Sequence, residues 1–257
     1  MRLGIAAALA AGLLSACSGG GVPATPGAAG DLVRANMAAA DGIGTLPRAQ
    51  AAHARGGVSA TTITGSQVIY SGNFNTNTIT IFPVKGKNQP PIGHITSGLS
   101  NPERLFVGKT LKLYVTNLGN NTITVYDPGA TTPSRTISKG IDTPTGVVVG
   151  ADATVYCANV GNDTVTEYKR GRNTPALTIQ LPDSDNPEDL ALDAKNNLYV
   201  SHPGGTLGGG VLVFAPGKTT GKELGLVIGD PGAIEVDGSG NLIVVDSSAP
   251  SVDFFPA

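Results

Sequence analysis

Along most of this chain, apolar and polar side chains alternate in short runs. Thr122-Ile123-Thr124-Val125-Tyr126 sets Thr against aliphatic residues with a period of two, which predicts a β-strand. Related runs lie at Thr78-Ile79-Thr80-Ile81-Phe82, Thr164-Val165-Thr166-Glu167-Tyr168, Gly210-Val211-Leu212-Val213-Phe214 and Ser251-Val252-Asp253-Phe254-Phe255. Ahead of each stands a second apolar run: Val68-Ile69-Tyr70, Leu113-Tyr114-Val115, Val155-Tyr156-Cys157, Leu198-Tyr199-Val200 and Leu242-Ile243-Val244. Its central positions, Tyr70, Tyr114, Tyr156, Tyr199 and Ile243, are 44, 42, 43 and 44 residues apart. A third run follows Pro102, Pro144, Pro187 and Pro231, spaced 42, 43 and 44. Proline suits the first residue of a strand, which need not donate to the ladder.

Residues 102–140 show the whole unit. Strand a runs from Pro102 to Val107, strand b from Leu113 to Thr116, strand c from Thr122 to Tyr126, and a weak strand d covers Arg135 to Ile137. Turns rich in Gly, Asn and Asp separate them. A repeat of this length built from four short strands predicts an all-β fold: a β-propeller of about five four-stranded blades over residues 58–257. Units begin near residues 58, 102, 144, 187 and 231. The first lacks the opening proline, and its strand a is drawn from Ala60 to Thr64. The fifth stops at Phe255-Pro256-Ala257, after strand c. Either five blades close imperfectly, or this is a shortened six-bladed ring.

Composition agrees with many tight turns: 36 glycines and 18 prolines in 257 residues. A formal charge of -2 is too near zero to point to nucleic acid or acidic lipid. The N-terminus adds an address. Met1-Arg2 is followed by an apolar run, Leu3 to Leu14, and by Leu14-Ser15-Ala16-Cys17. A short basic start, an apolar stretch and small residues before a cleavage point define an export signal, here residues 1–16. The run is shorter than the roughly 20 residues a spanning helix needs. Residues 17–57 hold the Gly/Pro-rich Ser18–Gly27 stretch, expected to act as a flexible tether, and an Ala-rich segment. Cys157 takes the place of Val115 in its unit and is expected to be a buried hydrophobe.

Two family resemblances follow from these residues. Leu14-Ser15-Ala16-Cys17 resembles the bacterial lipobox, which implies diacylglycerol on Cys17, cleavage before it, and a lipid-anchored protein of the cell envelope. Ser18 after the cysteine resembles lipoproteins sent on to the outer membrane. Leu113-Tyr114-Val115-Thr116-Asn117 and the residues to Asp127 resemble the YVTN propeller repeat, and Leu190 to Val200 resembles the NHL repeat. Members of these families include binding and scaffold proteins as well as some enzymes.

Antiparallel strands put the b–c turns and d–a connections on one face. That face gathers Asn117, Asn159, His202 and Asp246 from equivalent places, with Glu103 and Glu188 beside their prolines. These six are the candidate ligand-binding residues. Asn at a strand end also caps its own turn by bonding backbone amides. No catalytic set is spelled out: His53, His94 and His202 are scattered, and Asp183 to Asp189 lacks the glycine of a calcium loop. The expectation is a non-catalytic binding or scaffold module without a cofactor, whose partner is the membrane through its anchor and a protein, glycan or small ligand, not nucleic acid. The alternative is a metal-dependent lactonase or esterase. The chain's blade pattern resembles the gluconolactonase family, which implies one divalent metal such as Ca²⁺ in the central channel, held by carboxylates and Asn. In place of that family's Pro-Asn-Gly stand Pro144-Thr145-Gly146 and Pro187-Glu188-Asp189.

Overall fold

The computed structural model describes residues 58–63, 66–182, 185–204 and 209–256, with side chains from residue 67 onward. The export signal, Cys17 and the tether lie outside the described residues. The rest is all-β, in five sheets that follow one another along the chain. Blade 1 comprises β1 (Val58–Ile63), β2 (Ser66–Asn73), β3 (Thr78–Pro83) and β4 (Gly93–Ile95). Blade 2 comprises β5 (Pro102–Val107), β6 (Leu113–Asn117), β7 (Thr122–Tyr126) and β8 (Arg135–Ile137). Blade 3 comprises β9 (Pro144–Val149), β10 (Val155–Asn159), β11 (Thr164–Tyr168) and β12 (Leu177–Gln180). Blade 4 comprises β13 (Asp189–Leu192), β14 (Leu198–His202), β15 (Gly210–Phe214) and β16 (Lys222–Glu223). Blade 5 has three described strands, β17 (Pro231–Val236), β18 (Leu242–Asp246) and β19 (Ser251–Phe255).

Every sheet is an antiparallel meander, and the inner strands β1, β5, β9, β13 and β17 pack each on the next. The chain is a five-bladed β-propeller. Strand β1 starts two residues before the expected Ala60, because its ladder with β2 reaches back to the pair Val58 and Ser71.

Alternation in the sequence does not mark a solvent face here. Blade 2 turns Leu105, Val107, Leu113 and Val115 towards Tyr70, Ile79 and Ile95 of blade 1. Its intervening residues Phe106, Tyr114 and Val125 join the core with Val147, Val149 and Val155 of blade 3. Ile234, Leu242 and Val244 of blade 5 pack on Ala191 and Val211 of blade 4. A blade between two others is therefore buried on both faces, and β6, β10 and β11 are buried along their whole length. The outer strands of blades 1 to 3 are fastened by one isoleucine each, Ile95, Ile137 and Ile179, all buried. Burying one such side chain contributes about 1.5–3 kcal/mol.

Candidate functional site

The polar residues at the ends of the b strands come first, because the repeat puts them in equivalent places. Asn117 is fully buried. Its Oδ1 accepts the backbone N–H of Ser100, in the connection that leads into its blade, at 3.1 Å. Its Nδ2 donates to Val115 O at 3.3 Å and to the hydroxyls of Thr122 and Thr124 at 3.3 and 3.0 Å. Asn159 repeats this in blade 3: Asp142 N–H to Oδ1 at 3.1 Å, and Nδ2 to Cys157 O, Thr164 and Thr166 at 3.3, 3.3 and 3.1 Å. A neutral amide can accept on one side and donate on the other, which is why Asn fits. Thr124, Thr164 and Thr166 are buried, and each hydroxyl finds its donor in the amide of the same blade.

Asp246 does the same work in blade 5 with acceptors only. Oδ2 takes the N–H of Gly229 at 2.9 Å; Oδ1 takes the N–H groups of Asp230 and Ser248 at 3.2 and 2.9 Å and the Ser248 hydroxyl at 2.7 Å. Burial acts to raise this carboxyl, but the donors outweigh it and hold it at about 2. Asn117, Asn159 and Asp246 are thus each turned onto their own blade.

His202 stands at the matching place in blade 4, opposite Gly210 as Asn117 is opposite Thr122. The threonine partners are gone. Instead Nε2 of the fully buried imidazole faces Glu223 Oε2 of strand β16 at 2.9 Å. Oε1 of the same carboxylate accepts the N–H of Val211 at 3.0 Å. On the other side Nδ1 lies 3.9 Å from Oδ1 of the buried Asp185. Gly210 makes room: a Cβ there would stand 2.5 Å from Glu223 Oε1 and 3.2 Å from His202 Nε2.

A second charged group lies on the inner side. Thr116 Oγ1 accepts the N–H of Arg104 at 2.8 Å, and Ser201 Oγ accepts that of Asp189 at 3.0 Å and donates to Gly232 O at 2.6 Å. These bonds set Arg104 of blade 2 and Asp189 of blade 4 towards the axis, where Nε and Oδ1 come within 3.5 Å. Both side chains are buried. They meet across blade 3 because its matching residue is Gly146, whose Cβ would stand 3.0 Å from Asp189 Cα. Asp189 Oδ2 also accepts the N–H of Ile234 in blade 5, at 3.3 Å.

Glu103 and Glu188 flank this axial pair in sequence and are half-buried. Among the described residues, no three His, Cys, Asp or Glu side chains are disposed to hold a metal. Cys157 is fully buried, and burial pushes its thiol well up. Arg104 and Glu223 escaped the sequence reading, and Asp185 and Asp189 entered it only as part of the Asp183 to Asp189 stretch. The signal was an exception within the repeat: Arg and Asp where other units carry Gly146 or Ala233, and Gly210 where others carry Thr or Ser251.

The family profile of the strictosidine synthase-like N-terminal region matches residues 175–208, from the last strand of blade 3 to just past His202. A comparison with curated proteins gave no match. Solved structures do match. Virginiamycin B lyase from Staphylococcus aureus shares 12% identity at a TM-score of 0.59, over 78% of this chain and 69% of that one. A catalytically inactive variant of that lyase, in which one histidine is replaced by alanine, solved with quinupristin, gives 12%, 0.56, 79% and 69%. A candidate 6-phosphogluconolactonase from Bacteroides fragilis gives 18%, 0.60, 77% and 65%, so the chain spans just under two thirds of its length. At these identities the likeness establishes the propeller fold alone.

Proposed function

We propose that this chain is a lipid-anchored propeller of the bacterial cell envelope, exported by residues 1–16, acylated at Cys17 and sorted to the outer membrane. Its propeller serves as a non-catalytic binding or scaffold module. One observation carries the non-catalytic reading: Asn117, Asn159 and Asp246 spend their hydrogen-bonding capacity on the connections of their own blades. The ligand face is then the rim of b–c turns and d–a connections, with Glu103 and Glu188 among its charged groups and a protein, glycan or small polar molecule as partner.

The mature chain, assayed for bound divalent metal and lactone hydrolysis, is expected to hold no stoichiometric metal and show no turnover. Metal at one equivalent, with turnover lost in Glu188→Gln or Asp246→Asn, overturns the module reading. Globomycin treatment is expected to accumulate an unprocessed precursor; normal processing removes the lipid anchor.

A second reading has one observation in its favour. Glu223 holds Nε2 of the buried His202, an arrangement that orients an imidazole for proton transfer. A lyase of this fold loses its activity when a histidine is replaced. Under this reading the chain is a propeller enzyme acting through His202, and turnover of a cyclic ester disappears in His202→Ala while the fold is retained.

A further inference from the structure

Folding separates the charges of this chain. Its total is -2, from 17 basic and 19 acidic residues. Yet the a–b and c–d turns of blades 2 and 3, with the start of β8, bring together Lys109, Lys112, Arg135, Lys169, Arg170 and Arg172. Contacts across the two blades show that these form one patch. Arg135 reaches from blade 2 to the c–d turn of blade 3, where Nε donates to Asn173 Oδ1 at 2.7 Å and Nη2 to the carbonyl of Arg172. Tyr114 feels the charges of Arg135, Lys112 and Arg170 together. Three carboxylates accompany the six cations. Asp127 is paired with Lys112 and Glu167 with Lys169, while Asp152 is bonded by its own turn through Thr154. The patch keeps an excess of three positive charges. Lys109, Arg170 and Arg172 are exposed and make no ion pair with a described carboxylate.

The rest of the same side is positive in sum. The c–d turns of blades 1 and 4 add Lys85, Lys87 and Lys218, all exposed. The a–b turns of blades 4 and 5 contribute Asp193 and Asp237, but each carboxylate is folded onto its own turn's amides. On the opposite turns and connections the signs reverse: Asp142, Asp163, Asp185, Glu188 and Asp230 stand against Lys139.

We infer that the basic side of blades 2 and 3 is a docking surface for an anionic phospholipid membrane. The choice of a membrane rests on the lipid-anchor reading. Cys17 would hold the propeller at a bilayer by a segment of forty residues, 18 to 57. Basic side chains near an anionic surface are attracted within about a Debye length, roughly 8 Å at physiological salt. The two acyl chains of the diacylglycerol supply the anchor, and the basic patch then sets which side of the propeller faces the bilayer. The acidic side, with the candidate ligand face, is left turned to the solvent.

The test uses the mature chain without its acylated residue, residues 18–257, which contains the whole described propeller. Its co-sedimentation is measured with vesicles of pure phosphatidylcholine and with vesicles containing phosphatidylglycerol. Binding is expected only to the second, lost on adding salt, and weakened about tenfold or more by Lys109→Glu, Arg170→Glu and Arg172→Glu together. Lys139→Glu, on the other side, is expected to leave it unchanged, and far-UV circular dichroism checks that each variant is folded. Equal binding to both vesicles, no binding to either, an equal loss in Lys139→Glu, or binding to heparin but not to vesicles overturns the proposal. Because this protein carries no acyl chain, its failure leaves the anchor untouched, and globomycin tests the anchor alone.

Discussion

In blades 2, 3 and 5 one side chain at the end of strand b fastens the connection that arrives from the blade before. In blades 2 and 3 that side chain is an amide which accepts from the incoming connection and donates to two threonines. Truncating Asn159 to Ala leaves the Asp142 N–H and two threonine hydroxyls short of a partner, and should cost about 1–3 kcal/mol in urea unfolding. Asp246 adds a pH dependence. Its folded carboxyl lies at about 2, below the roughly 3.9 of an unfolded aspartate. The stabilisation it gives is complete above the unfolded value and is lost as pH falls through the folded one. Asp246→Asn should therefore unfold more easily than the parent at pH 6, with the gap narrowing towards pH 2 in acid titrations followed by circular dichroism.

The strand and the blade pose different questions, about what lies between elements. Alternation of Thr with aliphatics marked the strands and their order. It did not reveal that blades 2 and 3 are buried on both faces, because threonine in a pattern reads as solvent-facing until its Asn partner is known. The group around His202 was only partly legible. The histidine was visible at the site of the amides, but Glu223 approaches from an outer strand 21 residues away. Gly210→Ala tests this packing. Its Cβ would crowd Glu223 and should cost about 1–3 kcal/mol, most of it absent in a Glu223→Ala background. Arg104 and Asp189 needed three blades in register before they met. Replacing Arg104 by Leu leaves a buried carboxylate unpaired and should lower stability by about 3–5 kcal/mol, read from the urea midpoint.

For the molecule as a whole, a period of 42 to 44 residues was enough to find the architecture and the boundaries of most blades. Total charge was a poor guide at this scale, because it sums over turns that folding sends to opposite sides. One consequence is chromatographic. Despite a sequence pI of about 5.9, the mature chain should be retained on a cation exchanger at pH 7 and low salt. Arg170→Glu with Arg172→Glu should release it earlier in the salt gradient.

The bonds that tie blade to blade also bear on engineering. In blades 1 to 3 the tip after strand b makes them too: Asn77 and Asn121 accept the N–H groups of Asn101 and Thr143, and the N–H groups of Leu118 and Val160 reach the carbonyls of Asn101 and Thr143. Blade 4 already carries seven residues, 203–209, where blades 2 and 3 carry four. A foreign peptide is therefore expected to be tolerated in the longer tip of blade 4 and to loosen the ring when spliced into the tips of blades 1 to 3.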